Sequence, residues 1–183
     1  EAFETISVLT VNRDISQYLE FETRRAGGLD NFHGLLHAVK NHLQLNFSYK
    51  SYDQEKASLR KTNPLLLKEF KGRWYIIAKD LADDKIKTYA LDRLSDPEIT
   101  KKRFALPSNF DPKLIFRDSF GIIHSVAGSV PQRIILSFDP WQGKYVKSQP
   151  LHSSQVILID SNTEFRIELF VYVAFDLVKE LLS

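Results

Sequence analysis

Near the start of the chain, the apolar residues follow the spacing of one helical face. They recur at i, i+3, i+4, i+7 and i+11: Phe32, Leu35, Leu36, Val39 and Leu43. Asp30 or Asn31 stands where a helix needs an N-cap, because a short polar side chain can accept a free backbone N–H there. The pattern predicts an amphipathic helix over residues 30–43 that packs against another element.

The pattern that follows is typical of strands. Apolar and polar residues alternate over residues 45–52 and again over 86–93. Residues 68–79 are rich in aromatic and β-branched side chains on both sides of Gly72. Three or more short strands separated by turns predict a small antiparallel sheet or barrel against the helix.

A linker and a second unit are predicted in the remainder of the chain. The pattern fades over residues 99–112, and Asp111 followed by Pro112 then indicates the start of a short helix, which we expect to end near Gly121. Beyond Pro131 the predicted elements are a strand, a helix, two strands and a final helix, at residues 133–138, 140–147, 155–159 and 163–173 and at the C-terminus. This order predicts a separate α+β unit.

Composition limits the possible functions. The 183 residues, 43% of them hydrophobic, are enough for one ordinary domain or two small ones. The 25 Lys and Arg against 23 Asp and Glu leave a formal charge of +2, so any site for nucleic acid must be local. The absence of cysteine excludes disulfides and thiolate metal sites.

The sequence also bears on location and completeness. No apolar run reaches the roughly 20 residues of a membrane-spanning helix, and there is no signal pattern, so we expect a soluble, cytoplasmic protein with no membrane partner. The chain contains no methionine and closes inside an apparent helix, so we expect the natural protein to continue beyond both ends.

The first unit resembles a WYL domain. Its motifs occur in the order of that family: a helix, Phe47-Ser48-Tyr49, Arg60 four positions before Pro64, Arg73-Trp74-Tyr75-Ile76 and Leu91-Asp92-Arg93-Leu94. Ile76 replaces the leucine of the name motif, a conservative change on a buried strand. The second unit resembles the extension that often follows WYL domains, through motifs at residues 138–141, 143–145 and 151–152.

The resemblance implies a bacterial transcription regulator and an α+β fold. In that family a small barrel of the Sm or SH3 type, with a packed helix, precedes a small α+β extension used in regulation or dimer contacts. The implied division is an N-terminal segment at 1–30, the WYL domain at 31–105, a linker with a short helix at 106–130, and the extension at 131–183. The implied partners are operator DNA, through a helix-turn-helix domain not visible in this chain, and a second copy in a homodimer.

The resemblance also implies a ligand site at Tyr49, Arg60 and Arg93, with Ser48 as a weaker member. A guanidinium suits phosphate, and a tyrosine can stack on a base, so the expected effector is a nucleotide or a short single-stranded nucleic acid. The alternative is that Arg93 pairs with Asp92 or Asp96 and that Arg60 is solvated.

Trp74 and Tyr75 must face opposite sides of a strand. We expect Trp74 in the core, and Tyr75 is the candidate for the ligand face.

Two groups of polar side chains are open to a structural or a functional interpretation. The basic residues of the first unit either form a solvated surface or line one groove for a polyanion: Lys71, Arg73, Lys85, Lys87, Lys101, Lys102 and Arg103. His33 and His37 have the spacing of a two-histidine metal face but lack the accompanying glutamate, so we expect no metal.

Catalytic motifs are not recognisable in the sequence, and we expect neither an enzyme nor a cofactor. A sensor module is therefore the first hypothesis. The alternative is a protein-interaction or dimerisation module without a small ligand, with a contact surface formed by Trp141, Tyr145, Phe170 and Tyr172. A hydrolase is the third hypothesis, after these two.

Overall fold

The structure, a computed structural model, describes residues 27–106, 110–124 and 130–182. Nearly all of the predicted N-terminal segment, and residues 107–109 and 125–129 of the predicted linker, lie outside these residues. The described chain contains two antiparallel sheets with helices, which confirms a mixed fold with an antiparallel arrangement of strands. No helix of the described residues is long and apolar enough to cross a membrane.

The first sheet contains five strands and is preceded by a helix. In chain order the elements are α1 (Phe32–Lys40), β1 (Leu43–Tyr49), β2 (Ser58–Phe70), β3 (Arg73–Asp80), β4 (Ile86–Ala90), a 3-10 helix (Leu91–Arg93) and β5 (Leu94–Arg103). Helix α1 ends three residues before its predicted end at Leu43. It ends at Lys40 because His42 adopts a φ of 54°, outside the helical region, after which Leu43 begins β1.

The first sheet is open. Its strand order is β4-β3-β2-β1-β5, so β4 and β5 form its edges and do not pair with each other in the described chain. Strand β2 has 13 residues and contains a bulge between Pro64 and Leu66, which inserts an extra residue opposite β3. No closed barrel is found among the described strands, and the predicted barrel of the Sm type is therefore not confirmed.

Helix α1 covers one face of this sheet. The core contains Leu35 from the helix and apolar side chains from three strands, including Leu45, Phe47 and Ile76, all at most 1% exposed. Trp74 is partly buried against this core, and its ring meets Phe32 edge to face at 4.7 Å. Trp74 therefore packs against the core as expected but is only partly buried, whereas Tyr75 is 7% exposed on the other face of β3.

The second sheet belongs to the C-terminal part. Its elements are β6 (Gln132–Phe138), α3 (Pro140–Ser148), β7 (Val156–Asp160), β8 (Phe165–Val171) and α4 (Phe175–Leu181), preceded by a short helix α2 (Pro112–Ile115). The strand order is β6-β8-β7. Asp139 starts α3 as an N-cap, since its carboxylate accepts the N–H groups of Trp141 and Gln142.

The two sheets are separate but touch. Phe70, at the end of β2, packs into the second core and meets Phe120 edge to face at 5.9 Å. The Asp176 carboxylate accepts the N–H groups of Ile122 and Ile123, at 2.9 and 3.3 Å, which fixes the connecting segment to the start of α4. The two predicted units are thus in contact, and their exact domain boundaries stay a prediction.

Candidate ligand-binding site

Three of the five residues predicted for the site lie on one side of the first sheet. In the register between β1 and β2, Phe47 lies opposite Arg60 and Tyr49 lies opposite Ser58. Directly opposed residues of an antiparallel pair point to the same face. Arg60 and Ser58 therefore share the face of Tyr49, and Arg93 covers the ring of Tyr49 from the next segment.

Arg93 ends the 3-10 helix and lies between two aromatic rings. Its guanidinium carbon is 5.2 Å from the ring centre of Tyr49 and 4.3 Å from that of Tyr52. Its carbonyl accepts the N–H of Lys50 at 3.2 Å, which holds the loop after β1 beside it. Arg93 forms no salt bridge with a described carboxylate, and Asp92 pairs instead with Arg73 at 3.3 Å. The alternative in which Arg93 pairs with Asp92 is therefore wrong.

Tyr49 forms the floor of the site. Its side chain is 6% exposed, and its hydroxyl accepts the N–H of Ala90 at 3.3 Å. Burial raises the pKa of this phenol more than the nearby Arg93 lowers it. The hydroxyl therefore stays protonated at neutral pH and keeps its own proton to donate.

Arg60 is not solvated, because it pairs with a buried carboxylate that the sequence analysis did not single out. Its Nη1 atom is 3.4 Å from Oδ2 of Asp80, whose side chain is fully buried. The same oxygen accepts the Lys87 ammonium at 2.7 Å and the Tyr89 hydroxyl at 2.8 Å. Asp80 is therefore the anionic centre that organises the cations on this side of the sheet.

Burial alone would raise the pKa of Asp80, but hydrogen bonds from Lys87, the Ala82 N–H and Tyr89 outweigh it and lower the pKa to about 2. Burial and the adjacent carboxylate raise the pKa of Tyr89. Asp80 is thus ionised at neutral pH and offsets part of the charge of Arg60 and Lys87. Arg93 is left as the cation without an ion-pair partner among the described side chains.

Oδ1 of Asp92, next to Arg93, has no hydrogen-bond partner in the described chain, and neither do three buried donor atoms on the side of the sheet that carries Tyr49. They are Ser58 Oγ, Arg60 Nε and Arg93 Nε. All three can donate, and two belong to charged groups. Buried donors without a partner are uncommon and need an explanation, which an acceptor-rich ligand supplies. Ser58 was not predicted; its position opposite Tyr49 becomes visible only with the strand register.

Ser48 and Tyr75 lie on the other face of their strands. Ser48 follows Phe47 and precedes Tyr49, both of which face the core, so the alternation of β1 directs it away from them. Tyr75 follows the inward Trp74, and its hydroxyl shares a hydrogen bond with Arg73. The structure therefore does not bring these two residues together with Tyr49, Arg60 and Arg93.

The remaining candidates fall into three groups. Lys71, Arg73 and Lys87 are in salt bridges, with Glu180, Asp92 and Asp80 respectively. No cluster of three or more potential metal-binding side chains occurs in the described part of the chain. Trp141 and Tyr145 are 64% and 62% exposed on α3, whereas Phe170 projects from β8 and Tyr172 is partly buried just after it.

Among the comparisons with known proteins, the match to a family model agrees with the sequence motifs. The search of curated proteins found no match. Among solved structures, the chain is similar to proteasome accessory factor B/C (PafBC) of Arthrobacter aurescens, with a TM-score of 0.42 and 15% identity over 81% of this chain. The chain spans 22% of the length of that protein. The model of the WYL domain family matches residues 30–99, which contain α1 and most of the five-stranded sheet. This part of the chain is therefore similar to WYL domains.

Proposed function

We propose that this chain is the sensing region of a transcription regulator and that the site around Tyr49 binds a nucleotide or a short single-stranded nucleic acid. The observation that carries the proposal is the group of buried, unpartnered donors on Ser58, Arg60 and Arg93 around one tyrosine ring. The effector would act on a DNA-binding domain that lies outside the described residues, as the similarity to WYL domains implies.

Each part of the site matches a part of such a ligand. Unpartnered donors on one side of a sheet suit phosphate oxygens, which accept several hydrogen bonds at once. Tyr52, whose ring centre is 4.3 Å from the Arg93 guanidinium carbon, is 76% exposed and can stack on a base beside that cation. Asp80 reduces the charge near Arg60, so Arg93 is expected to contribute most of the attraction.

Binding rather than catalysis is the activity that these residues support. A general base must be unprotonated and still basic near the working pH. Asp80, the carboxylate of this region, has a pKa of about 2, and its oxygens already accept four donors. Such a group is a poor base at neutral pH. We therefore propose no reaction at this site.

Calorimetric titration with adenosine monophosphate and with uncharged adenosine tests the proposal. The nucleotide should bind more tightly, because only it carries the phosphate. Arg93→Ala should weaken nucleotide binding by about 1.5–3 kcal/mol, or roughly 10- to 150-fold, the range for hydrogen bonds to charged groups. Arg93→Lys should fall between, since it keeps the charge but loses the planar surface.

Arg133→Ala is the matched control. Arg133 is also an arginine, but it is exposed and pairs with Glu168 on the second sheet, so its removal should leave nucleotide affinity unchanged. Equal affinity for adenosine and its monophosphate, or equal losses for Arg93→Ala and Arg133→Ala, would reject the site. If neither a nucleotide nor a short oligonucleotide binds, a protein-interaction module is the better hypothesis.

A further inference from the structure

A second basic surface lies at the far end of the first sheet. We define it as the basic edge, which consists of Lys40, His42, Lys101, Lys102, Arg103 and Phe104. Lys40 closes α1, and Lys101 to Arg103 close β5, which is an edge strand. Arg103 pairs with Leu43 at one end of β1, whereas Tyr49 is at the other end, about 20 Å away at the rise of an extended strand.

The positive charge of this edge is not compensated locally. All four Lys and Arg side chains are exposed, and none forms a salt bridge with a described residue. The two stretches that carry them, residues 36–46 and 99–106, contain no Asp or Glu. Because the whole chain has a formal charge of only +2, these four cations form a local positive field and not part of a general excess.

The backbone concentrates the cations. Between Leu43 and Leu45 the partner on β5 changes from Arg103 to Ile99, so β5 advances four residues while β1 advances two. The extra residues form a bulge that contains Lys101 and Lys102. Bulges bend an edge strand and redirect its side chains, which brings the end of β5 towards the end of α1.

An aromatic surface accompanies the charge. The rings of His42 and Phe104 are stacked, with centres 5.7 Å apart and planes 26° from parallel. A backbone hydrogen bond of 3.0 Å from the Phe104 N–H to the His42 carbonyl fixes this arrangement. Both rings, together with Lys40, Asn41 and Arg103, line a cavity of about 350 Å³.

We propose that the basic edge is a second nucleic-acid site, which binds a single strand through its phosphates and stacks a base against Phe104. Cations along a groove with an aromatic ring among them are the usual means of holding a single strand without sequence preference. Protection of an edge strand against aggregation would also favour lysines on β5. That role does not require Lys40 on the helix or the stacked pair beside it.

Fluorescence anisotropy with a 5′-labelled 15-residue oligothymidylate measures binding to this site. The triple variant Lys101→Glu, Lys102→Glu, Arg103→Glu should weaken binding at least tenfold at low salt. It should also reduce the slope of log affinity against log salt by about 2, since each single-strand phosphate contact contributes about 0.7. Phe104→Ala should weaken binding about 5- to 150-fold, the range for one stacked base.

The control variant carries Lys56→Glu, Lys85→Glu and Lys179→Glu. These lysines are exposed, lie elsewhere, and change the formal charge by the same amount, from +2 to −4. The control should retain most of the affinity. Equal losses in the two triple variants, or an unchanged affinity in the edge variant, would overturn the proposal. If the edge variant does not fold, Arg103→Glu alone gives the same comparison against Lys85→Glu.

Two further results separate this site from the one around Tyr49. The edge variant should bind adenosine monophosphate as well as the unaltered protein does, because the nucleotide site around Tyr49 is at the other end of β1. Loss of oligothymidylate binding in Arg93→Ala but not in the edge variant would place the strand at Tyr49 only and refute the basic edge. The stacked base would be refuted by a pair of results: inorganic polyphosphate displaces the labelled strand as strongly as unlabelled oligothymidylate does, while Phe104→Ala leaves the affinity for the strand unchanged.

Discussion

Asp80 shows how one buried residue can decide the chemistry of its neighbours. The sequence motifs point to Arg60, but they contain no indication of the carboxylate that holds it, because Asp80 is 20 positions away on another strand. Only the register of β2 and β3, in which Thr62 lies opposite Asp80, brings the two together. A guanidinium read as free from the sequence is therefore partly neutralised in the fold, and Arg93 becomes the principal cation of the candidate site.

Asp80→Asn should lower the free energy of unfolding by about 2–4 kcal/mol at neutral pH, because it leaves Lys87 and Arg60 without their shared anion in a buried place. In the unaltered protein, the pKa of the Asp80 carboxyl is about 2, below the usual 3.8, so the ionised form stabilises the fold. That contribution, about 2 kcal/mol, is complete above pH 4 and is lost as the pH falls towards 2.

Urea unfolding from pH 7 to pH 2 measures both effects of Asp80→Asn, and Asp83→Asn is the matched control. Asp83 also pairs with Lys87, but its side chain is 41% exposed, so its loss should cost less than about 1 kcal/mol. Equal costs for the two variants would show that Asp80 has no special structural role. An acid transition of unchanged size in Asp80→Asn would contradict the assigned pKa.

At the scale of elements, the spacing of apolar residues predicted the helices and strands that bury one face. Helix α1, helix α3 and the central strand of the second sheet are all found near their predicted positions. The predicted strand over residues 68–79 is the hairpin of β2 and β3. The first ten residues of β2 and all of β5 were missed, since β5 is a polar edge strand with no inward alternation. Such strands are defined by their pairing partner and not by their own sequence.

Trp74→Ala tests the packing of α1 on β3. The ring is partly buried against Phe32 and the first core, so its removal should cost about 2–3 kcal/mol, near the lower limit for a buried aromatic. Trp141→Ala removes the same side chain from an exposed position and should change stability by less than about 1 kcal/mol. Urea unfolding of both variants measures the difference, and equal stabilities would place Trp74 outside the core.

On the scale of the whole molecule, the two sheets share contacts that could transmit a binding event. Phe70 of the first sheet packs against the second core, Lys71 pairs with Glu180 of α4, and Thr88 donates to the carbonyl of Ile122. The site around Tyr49 is on the face of the sheet covered by α1, and these contacts lie at other parts of the sheet. The overall α+β class could be predicted from the sequence, whereas these contacts between distant segments could not.

Photochemical cross-linking tests the central claim most directly, because it reports where a nucleotide binds. The protein would be irradiated with 5-bromo-2′-deoxyuridine 5′-monophosphate, digested, and analysed by mass spectrometry. We expect the adduct on Tyr49 or Tyr52, the two rings that enclose Arg93, and we expect Arg93→Ala to reduce its yield at limiting nucleotide. Adducts found only on Trp141, Tyr145 or other exposed rings, with a yield that Arg93→Ala does not change, would contradict the account.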